Sequence, residues 1–240
     1  MRAEPEYRVV RDPIFLVTVA FFAPLTTVLP ALMGQQQLMP IMQTLALVAF
    51  LAVALHHRDM RQAVFVMAIW VGIQLAIVML LGAFFPATVE QAIPDGFALR
   101  TGVVEWIYAD INPPVSVQAT PIARLLEIVA VIGGTLFTGG LIGGWILVRT
   151  INQVGFSIGV LLGEVEDILL LVAFLPWSLL RIAGYAGLVL LLAEPLWSRN
   201  WSFGFYSEHR KRLFYVTIAL LLTSLVLEAF LPGFWPSLFR

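Results

Sequence analysis

The amino-acid sequence predicts an all-α, polytopic membrane protein with six or seven membrane segments, one of them a short or re-entrant glycine-rich segment. Two observations predict that class. Of 240 residues, 60% are hydrophobic and only 12% charged, about half the charged share of a soluble domain. The apolar residues also fall in runs near the length of about 20 that an α-helix needs to cross ~30 Å of hydrocarbon. Cysteine is absent, which excludes disulfides, thiolate metal ligands and cysteine nucleophiles. The net charge of -1 argues against a nucleic-acid partner.

The first segment runs from about Pro13 to Met33, with Pro24 and Pro30 expected to bend it. Glu4, Glu6 and Asp12 dilute the positive charge ahead of it and no small-x-small cleavage site follows, so it is expected to be retained. Gln35, Gln36 and Gln37 form a polar turn, and the second segment, Leu38 to Leu55, closes on His56, His57, Arg58 and Asp59. Residues 1–62 thus read as an N-terminal transmembrane hairpin and 63–240 as a membrane core. The third segment, Ala63 to Phe85, stops at Pro86. Residues 87–121 read as an extracytoplasmic loop with turn signals at Pro94-Asp95-Gly96 and Asn112-Pro113-Pro114. Within it, Val103 to Ile111 suits a short interfacial helix with Trp106 and Tyr108 at headgroup level.

The fourth segment is expected to cover Ile122 to Val148. The next apolar piece, Ile151 to Leu162, reaches only about 18 Å as a helix. It is then half of a re-entrant hairpin, or a short helix extended by its flanks. Glu164, Glu166 and Asp167 follow, then Ile168 to Leu192 with a helix break at Pro176. A basic, aromatic loop from Ser198 to Arg212 suits an interface anchor, and the last segment is Leu213 to Leu231.

Charge sets the expected orientation. With the N-terminus cytoplasmic and the short piece crossing, Arg2, Arg8, Arg11, Arg58, Arg61, Arg149, Arg199, Arg210, Lys211 and Arg212 fall inside. Glu90, Asp95, Glu105, Asp110, Glu164, Glu166 and Asp167 fall outside, with Arg100, Arg124 and Arg240. That partition obeys the positive-inside rule, favours seven crossings and leaves the C-terminus extracytoplasmic in a prokaryotic cytoplasmic membrane.

Small residues are the main local feature. Gly139/Gly143 and Gly140/Gly144 have GxxxG spacing in the fourth segment, and Gly155, Gly159 and Gly163 repeat it in the short piece. Membrane helices attract through close backbone packing, which such spacing permits. The glycines then pack the chain on itself, or form a homodimer or partner interface. Arg181 is expected at membrane depth, where a charge must pair, snorkel or face a wet cavity. Glu228 is its partner by type, as an intramembrane polar pair. If the Arg181 helix began at Asp167, however, the two would differ in depth by roughly 16 Å. The pair therefore needs the residues before Pro176 to lie shallow. Arg124 and Glu127 read as a local i,i+3 ion pair, and Asn152 and Gln153 as polar groups at the cytoplasmic edge. No catalytic, metal-binding or phosphate-binding pattern emerges, so neither enzymatic activity nor a cofactor is expected.

From Ala119 to Phe234 the chain resembles the stage II sporulation protein M-like family of multi-pass membrane proteins. The residues concerned are Gly133 to Gly144, Asn152 with Gly155 and Gly159, and Pro176 followed by Ala183-Gly184-Tyr185-Ala186-Gly187-Leu188. The last helix ends in Leu227-Glu228-Ala229-Phe230-Leu231-Pro232. Where the family pattern has histidine, glycine and glutamate after the proline, this chain has Trp177-Ser178-Leu179-Leu180-Arg181. The resemblance implies a non-enzymatic membrane scaffold or accessory subunit of a larger envelope complex, with membrane lipid and other membrane proteins as partners. The rival reading is a small-solute transporter or the permease subunit of an ABC-type exporter. It draws on Pro176, Arg181 and the short glycine-rich piece. Against it, the first half holds no repeat of Gly133 to Gly163, and polar residues such as Gln74, Thr217 and Thr223 are scattered.

Overall fold

The computed structural model describes residues 10, 12–109, 120–164, 173–199 and 209–238. Asp110, Ile111, the Asn112-Pro113-Pro114 turn, Glu166, Asp167 and most of the aromatic loop after Arg199 lie outside the described residues. Among those described, seven helices are long and apolar enough to cross a membrane. The chain is a multi-pass integral membrane protein.

Helix α1, Pro13–Met33, starts where the Asp12 side chain accepts a hydrogen bond from the Ile14 amide at 2.8 Å. Pro13 occupies the first turn, and Gly34 closes the helix in the left-handed region at φ 65°. Helix α2 is Leu38–His56, and α3, Met60–Phe84, is capped by Asp59, whose carboxylate accepts from the Gln62 amide. A short turn of helix, α4 at Pro86–Val89, leads to α5 at Gly96–Ala109. Helix α5 is longer than the expected interfacial helix and starts seven residues earlier than Val103.

The largest departure lies in the fourth and fifth segments. The apolar run from Ile122 to Val148 is two helices, α6 at Pro121–Thr138 and α7 at Leu141–Glu164. Between them Gly139 and Gly140 turn the chain with φ 62° and 103°, a conformation that side chains disfavour. Gly139/Gly143 and Gly140/Gly144 therefore do not form a GxxxG face along one helix. The glycine-rich piece takes the second of its two expected forms, extended on its N-terminal flank into a helix of 24 residues. Arg149 is consequently not at a helix end. It lies eight residues into α7, about 12 Å along the axis, with its guanidinium 5.9 Å from the Trp145 ring centroid. Asn152 and Gln153 are likewise mid-helix rather than at an edge.

Helix α8, Pro176–Ser198, begins with proline at its first position after an extended Leu175. Helix α9, Lys211–Phe230, ends the bundle and is followed by a turn of 3-10 helix at Pro236–Leu238. The ends of α1, α3, α7 and α9 and the starts of α2, α6 and α8 share one end of the bundle with α5, here the α5 end.

Helix α7 is the hub, packing against α2, α3, α5, α6 and α8. Its glycines set those approaches. A Cβ on Gly155 would lie 3.1 Å from Val78 Cβ, and one on Gly163 would lie 2.7 Å from the Ala83 carbonyl oxygen, both on α3. Gly144 faces Thr44 and Val48 of α2, and Gly143 faces Thr135 of α6. Gly184 and Gly187 of α8 do the same for α9, against Leu221 and Thr217. These glycines pack the chain on itself. Ile122, Leu125, Leu126, Val129 and Phe137 of α6 face outward, as a lipid-covered helix requires.

Candidate functional site

Near the α5 end, four charged side chains from three helices converge. Arg124 and Glu127 lie in the first two turns of α6, Arg181 is five residues into α8, and Glu228 is two residues from the end of α9. The start of α8 at Pro176 makes the meeting of Arg181 and Glu228 possible, because it puts Arg181 only about 7.5 Å below the helix start. Arg181 Nη1 donates to both Glu228 oxygens, at 2.9 and 3.0 Å. Arg124 Nη2 donates to Glu228 Oε1 at 3.1 Å, and Arg124 Nη1 is joined to Glu127. Thr150 of α7 donates its hydroxyl to Glu127 Oε1 at 3.2 Å. Arg124 is thus more than the partner of a local i,i+3 pair; it links α6 to α9.

Burial makes this cluster energetically decisive. Glu228 is 0% exposed, Arg124 4% and Arg181 5%. Two arginines and two glutamates sum to zero charge, which is how low-dielectric surroundings tolerate four ions. The wholly buried Tyr185 ring of α8 lies beside them, with Glu127, Arg181 and Arg124 as its charged neighbours. Arg181 Nε, also out of solvent reach, has no hydrogen-bond partner among the described residues. Arg181 lines a cavity of about 40 Å³ with Ser178 of α8, Gln153 and Ser157 of α7, and the indoles of Trp106 and Trp177. Trp177 meets Trp106 and Trp235 edge-on at 6.2 and 5.6 Å, and Trp106 donates its indole N–H to the Pro232 carbonyl at 2.8 Å.

A second, uncharged network crosses the middle of the bundle. Asn152 of α7 donates to Gln43 Oε1 of α2 at 2.8 Å and accepts from Gln74 of α3 at 2.9 Å. Gln43 donates on to Thr27 of α1, and Gln74 accepts from the Trp70 indole, each at 2.8 Å. Replacing Asn152 with leucine removes the hub and is expected to cost about 1–2 kcal/mol, the range of interhelical hydrogen bonds in membranes. Unfolding in mixed micelles against wild type reads that loss; an unchanged midpoint would show the network idle.

The other end is tied by Arg210, whose guanidinium donates to both oxygens of the buried Glu194, the shortest contact being 2.6 Å. Arg58 donates to the Ser198 carbonyl at 3.3 Å, and the Trp197 indole donates to the Gly139 carbonyl at 2.8 Å. Neither Glu194 nor its pairing was singled out from the sequence, although a carboxylate inside an apolar run before Pro195 was a visible signal. At the α5 end, Arg100 bonds Glu164 and Glu90. The Glu164 hydrogen bond raises its pKa above the ordinary arginine value, with partial desolvation opposing, so it stays charged throughout the accessible range. Being a third exposed, this pair is expected to be worth about 1 kcal/mol or less, with Arg100→Gln losing even that effect at high salt.

No protein-family model, curated protein or solved structure matches the chain.

Proposed function

We propose that this protein is a non-enzymatic membrane scaffold or accessory subunit of a larger envelope complex. It would reside in a prokaryotic cytoplasmic membrane with its N-terminus inside and its C-terminus outside. One observation carries the reading: the buried amides and carboxylates of the bundle are spent on other side chains. Gln43, Gln74 and Asn152 satisfy each other, and Arg124, Arg181, Glu127 and Glu228 neutralise each other. A transport path needs polar groups left facing its lumen. The orientation draws support from Arg58, Arg61, Arg199, Arg210 and Lys211 at the end opposite α5, against Glu90, Glu105 and Glu164 at the α5 end. The resemblance of residues 119–234 to the stage II sporulation protein M-like family adds weight to the scaffold role.

Transport, as a small-solute carrier or exporter permease, is the second reading. Its specific support is Arg181 facing the cavity at the α5 end. Purification from the native membrane in mild detergent, with quantitative mass spectrometry, separates the two. A reproducible stoichiometric membrane partner is expected; a lone chain or homodimer that moves solute in liposomes would overturn the scaffold reading.

A further inference from the structure

The cavity beside Arg181 has the chemistry of a binding site. One lining residue is Arg181, which is 5% exposed and engages Glu228 through Nη1 alone. The Nε–H is buried and has no partner among the described residues. Nε is closed even to water, so a ligand meets the rest of the guanidinium, a group whose charge and planar shape suit a carboxylate. The α8 N-terminus is the second source of positive potential, since Trp177 and Ser178 of its first turn line the same space. Ser157 and Gln153 add polar groups from α7, while the Trp106 and Trp177 indoles supply apolar walls.

We propose that this cavity binds one small carboxylate, taken from the side of the membrane that α5 faces. The charge calls for an anion, since arginine and a helix N-terminus converge on it. Size favours a small group: about 40 Å³ is room for roughly three waters, or a carboxylate with a methyl group. The two tryptophans accept the alkyl end. Affinity is modest, in the millimolar range, because the four-ion cluster is already neutral and the entering anion shares Arg181 with Glu228. The site stands independently of whether the protein is a scaffold or a carrier.

The probe is acetate, with acetamide as its neutral counterpart of the same shape. The full chain in nanodiscs is titrated at constant ionic strength and neutral pH, read by tryptophan fluorescence and thermal midpoint. Acetate is expected to give a saturable response and acetamide none. Arg181→Lys keeps the charge beside Glu228 but loses the fork, and is expected to raise the half-saturating concentration about tenfold or more. Ser157→Val narrows the cavity without touching any ion pair and abolishes the response, so the proposal remains testable if the lysine variant fails to fold. Equal or unsaturable responses to acetate and acetamide would overturn it, leaving the cavity merely hydrated. An unchanged half-saturating concentration in folded Arg181→Lys, or a response that persists in folded Ser157→Val, would overturn it as well.

Discussion

Glu228→Gln is expected to destabilise the protein more than any other single neutralisation, by about 3–5 kcal/mol. The reason is its position as the shared acceptor of two buried arginines, at 2.9–3.0 Å from Arg181 and 3.1 Å from Arg124. The amide retains the shape and one acceptor oxygen but not the charge, and two guanidiniums then face one remaining carboxylate, Glu127. A simple charge swap does not restore the arrangement. Arg181→Glu with Glu228→Arg rebuilds one pair but sets the new arginine against Arg124, so the double variant is expected to stay well below wild type. Adding Arg124→Gln to the swap removes that repulsion and is expected to recover part of the loss. Thermal unfolding in one detergent, or the yield of folded protein from the membrane, reads all three steps. A swap that restores wild-type stability unaided would show that Arg124 does not take part.

The same bridging acceptor shows what a single sequence can and cannot disclose. Helix α1 lies where its apolar run placed it, and Asp12, Pro13 and Gly34 are local signals acting on their own backbone. Pro176 was equally plain as a helix break, and α8 starts at it, on which the meeting of Arg181 and Glu228 depends. The α6–α7 turn was not legible, because it spends no charged residue. Gly140 bonds back to the Thr135 carbonyl, Thr138 caps the Ile142 amide, and the Trp197 indole reaches in from α8. Hydropathy passes through such a turn unbroken. Arg149 misled in the opposite direction: a charge ordinarily closes a span, whereas here it sits two turns inside α7 beside Trp145. Gln43, Gln74 and Asn152 stand up to 109 positions apart, and nothing in their own neighbourhoods announces the contact. Arg124 posed a subtler problem: its i,i+3 neighbour already explained it, which hid its second role as a tie between α6 and α9.

Gly159→Leu is expected to abolish folding, because the α3–α7 contact leaves no volume at that position. Even a methyl group there would sit 2.9 Å from both the Ala83 amide nitrogen and Gly82 Cα. Those are backbone atoms of α3 and cannot rotate aside, so the helices must separate. Overpacking of this kind costs about 1–3 kcal/mol for modest additions, which sets the expectation for Gly159→Ala; leucine exceeds it and also parts Gly155 and Gly163 from the same helix. Gly133→Ala is the internal control: nothing lies within 4 Å of its Cβ position, so better helix propensity is expected to leave stability unchanged or raise it by up to about 1 kcal/mol. The comparison also tests what the glycines are for. If they served a homodimer, Gly159→Ala would shift the association constant and leave the isolated chain's unfolding midpoint intact. Packing within one chain requires the reverse: a lower midpoint that does not depend on protein concentration in the detergent. The hub position of α7 makes that result propagate, because displacing it from α3 also strains the Asn152 bonds to Gln43 and Gln74.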